Sequence, residues 1–322
     1  MEKNTTRRRL LQQSALAAGA AAFAANKIHA QTVEEGAWKR LFPAGFRNER
    51  IKTSGAEINA VIGGSGPPVL MFHGAPQSLI TWRLIAPDLA KDFTLVMCDL
   101  RGYGDSSKPP DGENHSNYSK RAMALDGIEV MQHFGYPQFF MVGHDRGGRV
   151  GRRMALDHPD KVRKLAVLDI VPAHYLYSHV TIDFVQAYFH WFNYLRPAPG
   201  PENELKAQND AQLARSTNDV QKEYLRTASN PANIHAMCED YRASASIDLE
   251  WDNTDAKAGK KIQCPVLTLW AAAGAMGKLY DVLKIWKDEG VNVTGKGLPG
   301  NHSLQESAPK ETLAELQQFL RG

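Results

Sequence analysis

The chain is poor in cysteine. Its three thiols, Cys98, Cys238 and Cys264, are spread far apart through 322 residues, with no C-x-x-C spacing. A disulfide framework is therefore excluded, and no metal site is expected. Long apolar runs are also missing: the stretch of small apolar residues from Ala15 to Ala25 is too short and too alanine-rich for a good transmembrane helix. No internal repeat or long low-complexity tract is present. An excess of charge of either sign is absent as well. The whole chain carries +3, but residues 1–30 hold Lys3, Arg7, Arg8, Arg9 and Lys27 against Glu2 alone, so the remainder carries −1. No basic surface is left to explain, and no nucleic-acid partner is expected.

What is present starts with Thr6-Arg7-Arg8-Arg9-Leu10-Leu11 ahead of the alanine-rich run, a pattern resembling a twin-arginine export signal. Residues 1–30 are thus expected to direct the protein to the periplasm and to lie outside the fold, with no stable membrane association after export. The rest is 43% hydrophobic overall and long enough for one large α/β domain with an inserted subdomain. Strand-like and helix-like segments alternate, as a parallel sheet with crossover helices requires. Val69–Phe72, Phe93–Met97, Phe139–Val142, Leu165–Leu168 and Val266–Trp270 read as strands, with Val291–Val293 as an edge strand. Ala124, Ile128 and Met131 mark one helix face; Leu313, Leu316 and Leu320 mark another behind Pro309. Between about Ala173 and Trp251 the strand pattern stops and aromatic residues cluster, which reads as a helical cap. The expected organisation is a mostly parallel sheet with helices on both faces, formed by 31–172 and 252–322, with a cap at 173–251.

The most informative stretch is Phe139-Phe140-Met141-Val142-Gly143-His144-Asp145-Arg146-Gly147-Gly148-Arg149-Val150. A buried-looking strand enters G-x-D-x-G and leaves as a helix, the sequence form of a nucleophile elbow. The flanking glycines are required because side chains there would collide with neighbouring backbone. At the tip stands Asp145, not serine. A carboxylate attacking a carbonyl would give only an anhydride. Attack on a saturated carbon bearing a leaving group gives an ester that water can cleave, so substitution at carbon is the indicated chemistry.

Such a nucleophile needs a base to activate water against the ester, and the base needs an orienting acid. His302 follows the last expected strand, and Asp169 ends the strand after the elbow; both fall on the sheet edge where open α/β folds bind ligands. The later loop Ala271-Ala272-Ala273-Gly274-Ala275 contains no carboxylate, which favours Asp169 as the acid. The order Asp145, Asp169, His302 matches α/β hydrolases, and the backbone N–H groups of Ala75 and Arg146 are the expected oxyanion hole.

Gly143-His144-Asp145-Arg146-Gly147-Gly148-Arg149, with Asp169, His190-Trp191, Asp240-Tyr241-Arg242 and His302, resembles the fluoroacetate or haloacetate dehalogenase family of the α/β-hydrolase superfamily across essentially the whole chain after the leader. The resemblance implies that Asp145 displaces halide, that Arg146 and Arg149 hold the substrate carboxylate, and that His190, Trp191 and Tyr241 cradle the leaving halide. It implies hydrolytic dehalogenation of short 2-haloacids, with no cofactor, a small-molecule haloacid as partner, and a homodimer allowed. Two features depart from the family. The cap between Trp191 and Tyr241 is short and lacks tryptophan, and His73-Gly74-Ala75-Pro76 has alanine where a bulky aromatic is common. Two readings compete. An epoxide hydrolase uses the same Asp, His and acid with two cap tyrosines, for which Tyr175, Tyr177, Tyr188 and Tyr194 are available, but two arginines would then face a neutral substrate. An inactive small-ligand-binding homologue is the other, and the intact Asp145, Asp169 and His302 argue against it.

Overall fold

Runs of branched and aromatic residues between turn signals become the eight strands of a single sheet. They are β1 (Arg47–Lys52), β2 (Glu57–Gly64), β3 (Pro68–Phe72), β4 (Thr94–Cys98), β5 (Phe139–His144), β6 (Val162–Leu168), β7 (Val266–Ala271) and β8 (Val293–Leu298). The order is β1-β2-β4-β3-β5-β6-β7-β8, with β2 antiparallel to both neighbours and the other pairings parallel. This computed structural model describes residues 38–322, and Leu41–Gly322 form one body. The expected export signal lies outside the described residues.

The central strands β3, β4 and β5 are almost wholly buried, as parallel strands covered on both faces must be. Helix α1 (Lys120–His133) begins at Ser119, whose hydroxyl accepts the Ala122 N–H at 3.2 Å. Its Ala124, Ile128 and Met131 are buried as their spacing predicts. The chain ends in α2 counted from the elbow, Arg146–Asp157, and, at the C-terminus, a helix over Pro309–Arg321 that buries Leu316 and Leu320. Two elements differ from the sequence reading. The β1–β2 hairpin was not among the expected strands; its turn closes with Thr53 N–H on the Ala56 carbonyl at 2.8 Å. The edge strand begins at Val293 and runs on through two glycines. Gly295 is needed there, because a Cβ would sit 2.2 Å from the Thr268 carbonyl oxygen.

Seven helices fill the interval between β6 and β7: α3 (Ala173–Ser178), α4 (Ile182–Ala187), α5 (Phe189–Asn193), α6 (Gly200–Arg215), α7 (Asp219–Ala228), α8 (Pro231–Ala245) and α9 (Ile247–Lys257). The helical stretch read as ending at Trp251 continues to Lys257, since Ile247–Lys257 is one uninterrupted helix capped at Ala258. Helix α8 is the most buried of the seven. It packs near the elbow through Asp240, Tyr241 and Ser244.

Candidate active site

The elbow is built by steric exclusion. Asp145 adopts φ 45° and ψ −115°, a conformation that non-glycine residues avoid and that surrounding structure must hold. A Cβ on Gly143 would lie 2.5 Å from the backbone of Gly147 and Gly148, and one on Gly147 would lie 2.4 Å from the Phe72 carbonyl oxygen. Strand, turn and helix can therefore approach this closely only with glycine at both places. The result projects Asp145 from the carboxyl end of β5 at the N-terminus of α2, where the helix dipole favours negative charge.

Asp145 is buried and its Oδ2 accepts the Ala75 N–H at 3.1 Å. Burial raises its pKa, but the charges of His302, His144, Arg149 and Arg146 outweigh that and lower it to about 2. The carboxylate is thus ionised at neutral pH. Among the described residues no ion pair forms directly on it: the cations stabilise its charge from a distance and leave an oxygen uncovered. The Ala75 amide is where the sequence reading placed one oxyanion donor. No hydrogen bond of the Arg146 N–H is formed in this state.

His302 and Asp169, 133 residues apart in sequence, meet with Nδ1 and Oδ2 at 2.6 Å. Asp169 sits at φ 54°, and its Oδ1 accepts the Ala271 N–H at 2.8 Å, so the carboxylate-free loop after β7 anchors the acid by its backbone. Burial acts to lower the His302 pKa, yet the hydrogen bond to Asp169 and the charges of Asp145 and Asp169 raise it above its ordinary value. The imidazole side chain is 42% exposed, open to arriving water. His144, whose role the sequence reading left blank, reaches the loop from behind: its Nε2 lies 2.9 Å from the His302 carbonyl oxygen. Burial lowers its pKa to about 3, so it is a neutral donor to that carbonyl.

The two arginines have different fates. Arg149 is buried, donates from Nη1 to the Val171 carbonyl at 2.8 Å, and stacks over Trp191 at 4.6 Å. Its Nε has no partner among the described residues. Arg146 is wholly buried with its fork occupied: Nε and Nη2 each donate to the Asp240 carboxylate at 2.7 Å, and Nη2 also reaches the Asp240 carbonyl and Ser244. Only Nη1 is left without a partner. A two-point grip by Arg146 on a substrate carboxylate, as the sequence suggested, is not open to it in this arrangement; a single Nη1 contact is.

His190, Trp191 and Tyr241 come together as read from the sequence. Tyr241 packs edge-on against Trp191 at 5.7 Å and His190 at 5.9 Å, and its ring lies under the Arg146 guanidinium at 4.2 Å. Tyr194 closes the cluster 5.1 Å from Tyr241. Burial lowers the pKa of His190 and raises that of Tyr241 well above the usual phenol, so both are neutral donors at pH 7. The arrangement offers an ionised carboxylate nucleophile, a water-activating imidazole held by an acid, one cation with open donors, and aromatic N–H and O–H donors beside it.

Residues 67–295 match the family model described as alpha/beta hydrolase fold. The chain is 42% identical over 288 residues to a fluoroacetate dehalogenase of Burkholderia sp., covering 86% of this chain and 94% of the relative. It is 31% identical to a soluble epoxide hydrolase of Corynebacterium sp. strain C12, over 80% of this chain and 91% of that one. Among solved structures, a Nostoc sp. PCC 7120 protein provisionally described as an α/β hydrolase superposes with a TM-score of 0.81 at 47% identity, covering 85% of this chain and 98% of that one.

Proposed function

The chain belongs to the haloacetate dehalogenase family of the α/β hydrolases, and from that premise we propose that it hydrolyses the carbon–halogen bond of short 2-haloacids, haloacetates foremost. The observation that carries the reading is the ionised, buried Asp145 at the elbow with Arg149 and the His190, Trp191 and Tyr241 donors gathered around it.

In the first half-reaction the Asp145 oxygen not engaged by Ala75 attacks the carbon bearing halogen. The C–O bond forms as the C–X bond breaks, and the electron pair leaves as halide toward His190, Trp191 and Tyr241. Arg149 and Nη1 of Arg146 hold the substrate carboxylate, which fixes the carbon in line. In the second half-reaction His302 removes a proton from water, and the hydroxide attacks the Asp145 carboxyl carbon. The oxygen that gains charge is already held by the Ala75 N–H. Collapse releases the 2-hydroxyacid and regenerates the carboxylate. Esterification itself prepares this step: it removes the Asp145 charge, one of the influences that raise the His302 pKa, just when a neutral imidazole is required.

Epoxide hydrolysis is the second reading, favoured by the Corynebacterium relative and by the phenols of Tyr194 and Tyr241 lying side by side. The charge argument against it now rests on Arg149, since Asp240 already compensates Arg146. Purified protein assayed for halide from chloroacetate and fluoroacetate, and for diol from epoxides, separates the two. Diol without halide overturns the proposal. Export to the periplasm belongs to the same reading and rests on Arg7-Arg8-Arg9 ahead of the apolar run; recovery of the protein in the cytoplasmic fraction of its host would count against it.

A further inference from the structure

The site contains a buried carboxylate that the reaction does not use. Asp240 is wholly inaccessible on α8, immediately before Tyr241. Its Oδ2 accepts from Arg146 Nε at 2.7 Å and from the Tyr103 hydroxyl at 2.6 Å; its Oδ1 accepts from Arg146 Nη2 at 2.7 Å and from the Lys120 ammonium. Ser244, one turn further along the same helix, receives Arg146 Nη2 at 2.5 Å and Lys120 Nζ at 3.1 Å. Asp248 completes the set by accepting the Lys120 backbone N–H at 2.9 Å. A cap helix thus holds a cation that belongs to the elbow.

We propose that Asp240 is a positioning residue that acts through Arg146: it turns the guanidinium so that Nη1 alone addresses the substrate carboxylate and the fork stays off Asp145. Two features of the geometry demand such a device. Arg146 is the immediate neighbour of Asp145, and an unheld guanidinium there would find the nucleophile as its nearest carboxylate and cover it. In the structure Asp145 forms no such ion pair among the described residues, while both inner donors of Arg146 are on Asp240. The orphaned, buried Nη1 is the second feature, because a buried donor left without a partner is a cost that a bound carboxylate oxygen would remove. Because Asp240 and Tyr241 are adjacent on one helix, the carboxylate grip and the halide donors are set by the same turn of the cap.

This inference rests on the haloacid reading and is tested on chloroacetate with Asp240→Asn, which keeps shape while removing charge. Electrostatics alone predicts tighter binding of an anion, since a buried negative charge is lost. Positioning predicts the opposite: KM for chloroacetate and the inhibition constant of acetate should rise together, roughly 10- to 100-fold as for one misplaced charge-assisted hydrogen bond, with kcat changing less. A merely structural role would lower the active fraction, and with it the apparent kcat, at unchanged KM. Tyr103→Phe removes one hydroxyl that holds Asp240 Oδ2 and should move both constants the same way by a few-fold; it carries the test if Asp240→Asn does not fold. Unchanged or lower KM and inhibition constants in the folded variants overturn the proposal while the haloacid reading stands. Absence of halide release by the unaltered protein overturns both.

Discussion

Replacing Arg149 by lysine isolates the substrate grip from the rest of the machinery. The guanidinium keeps its place through Nη1 on the Val171 carbonyl and through its plane on Trp191, and both contacts point the remaining donors toward the site. Lysine retains one positive charge but replaces a planar fork with a single point, so one of two charge-assisted hydrogen bonds to the substrate carboxylate is lost. Such a bond contributes about 1.5–3 kcal/mol, which corresponds to roughly a 10- to 150-fold loss in kcat/KM. The loss of stability should be smaller. A cation–π contact with Trp191 contributes on the order of 0.5–2 kcal/mol, and lysine retains part of it. Steady-state halide release from chloroacetate gives the first quantity and denaturant unfolding the second. Full activity with Arg149→Lys would remove this residue from the carboxylate grip and return the epoxide reading to equal standing.

Replacing His302 by asparagine should leave attack by Asp145 nearly intact and block hydrolysis: about one halide per site is released, and mass spectrometry finds the acid-derived adduct on Asp145. Free turnover, or an adduct elsewhere, refutes the assigned roles. Because the His302 pKa is raised, kcat/KM should climb with pH through a midpoint above 6.5, where the free imidazole becomes neutral; a midpoint below 6.5 contradicts the Asp169 pairing. The sign for stability is the reverse. A group whose folded pKa is raised stabilises the fold fully below its unfolded pKa, and that contribution is lost as pH rises through the folded pKa, so His302→Asn should narrow this difference. Alanine at position 75 and the short cap should loosen the halide pocket, so fluoroacetate is accepted but chloroacetate or bromoacetate turns over faster, with larger 2-haloacids tolerated; a higher specificity constant for fluoroacetate, with exclusion of 2-halopropionates, would show otherwise.

The parts of the fold legible in the sequence are those set by short-range rules. Central strands announce themselves as apolar runs, and the elbow as glycines about one polar residue, because steric exclusion acts locally. The β1–β2 hairpin escaped notice because Arg47-Asn48-Glu49-Arg50 is half exposed and lacks an apolar alternation. β8 was misplaced because Gly295 and Gly297 weaken a strand signal while serving close approach to β7. In the site, Asp145, Asp169 and His302 could be named from chain order and loop position. The pairing of Arg146 with Asp240 could not, since it joins residues 94 apart across two elements whose packing no local pattern encodes.

That pairing changes what two arginines one helical turn apart mean. Read from the sequence, Arg146 and Arg149 are equivalent cations facing one anion. In the structure they stand on opposite sides of a balance. Arg146 is neutralised by Asp240, which is itself shared with Lys120, so the buried group of two cations and one carboxylate leans on Asp248 for its remaining compensation. Burial raises the Asp248 pKa to about 6, so the balance of this group shifts near neutral pH. Arg149 has only a carbonyl and an aromatic face, and the nearest negative charge acting on it is Asp145. An incoming haloacid anion therefore completes the charge balance at Arg149, while at Arg146 it adds geometry. The first term governs whether an anion enters at all, and the second governs how its carbon is presented to Asp145. Substitutions at Arg149 should accordingly weaken every small carboxylate alike, whereas substitutions that disturb Arg146 should discriminate among acids by the placement of the carbon next to the carboxylate.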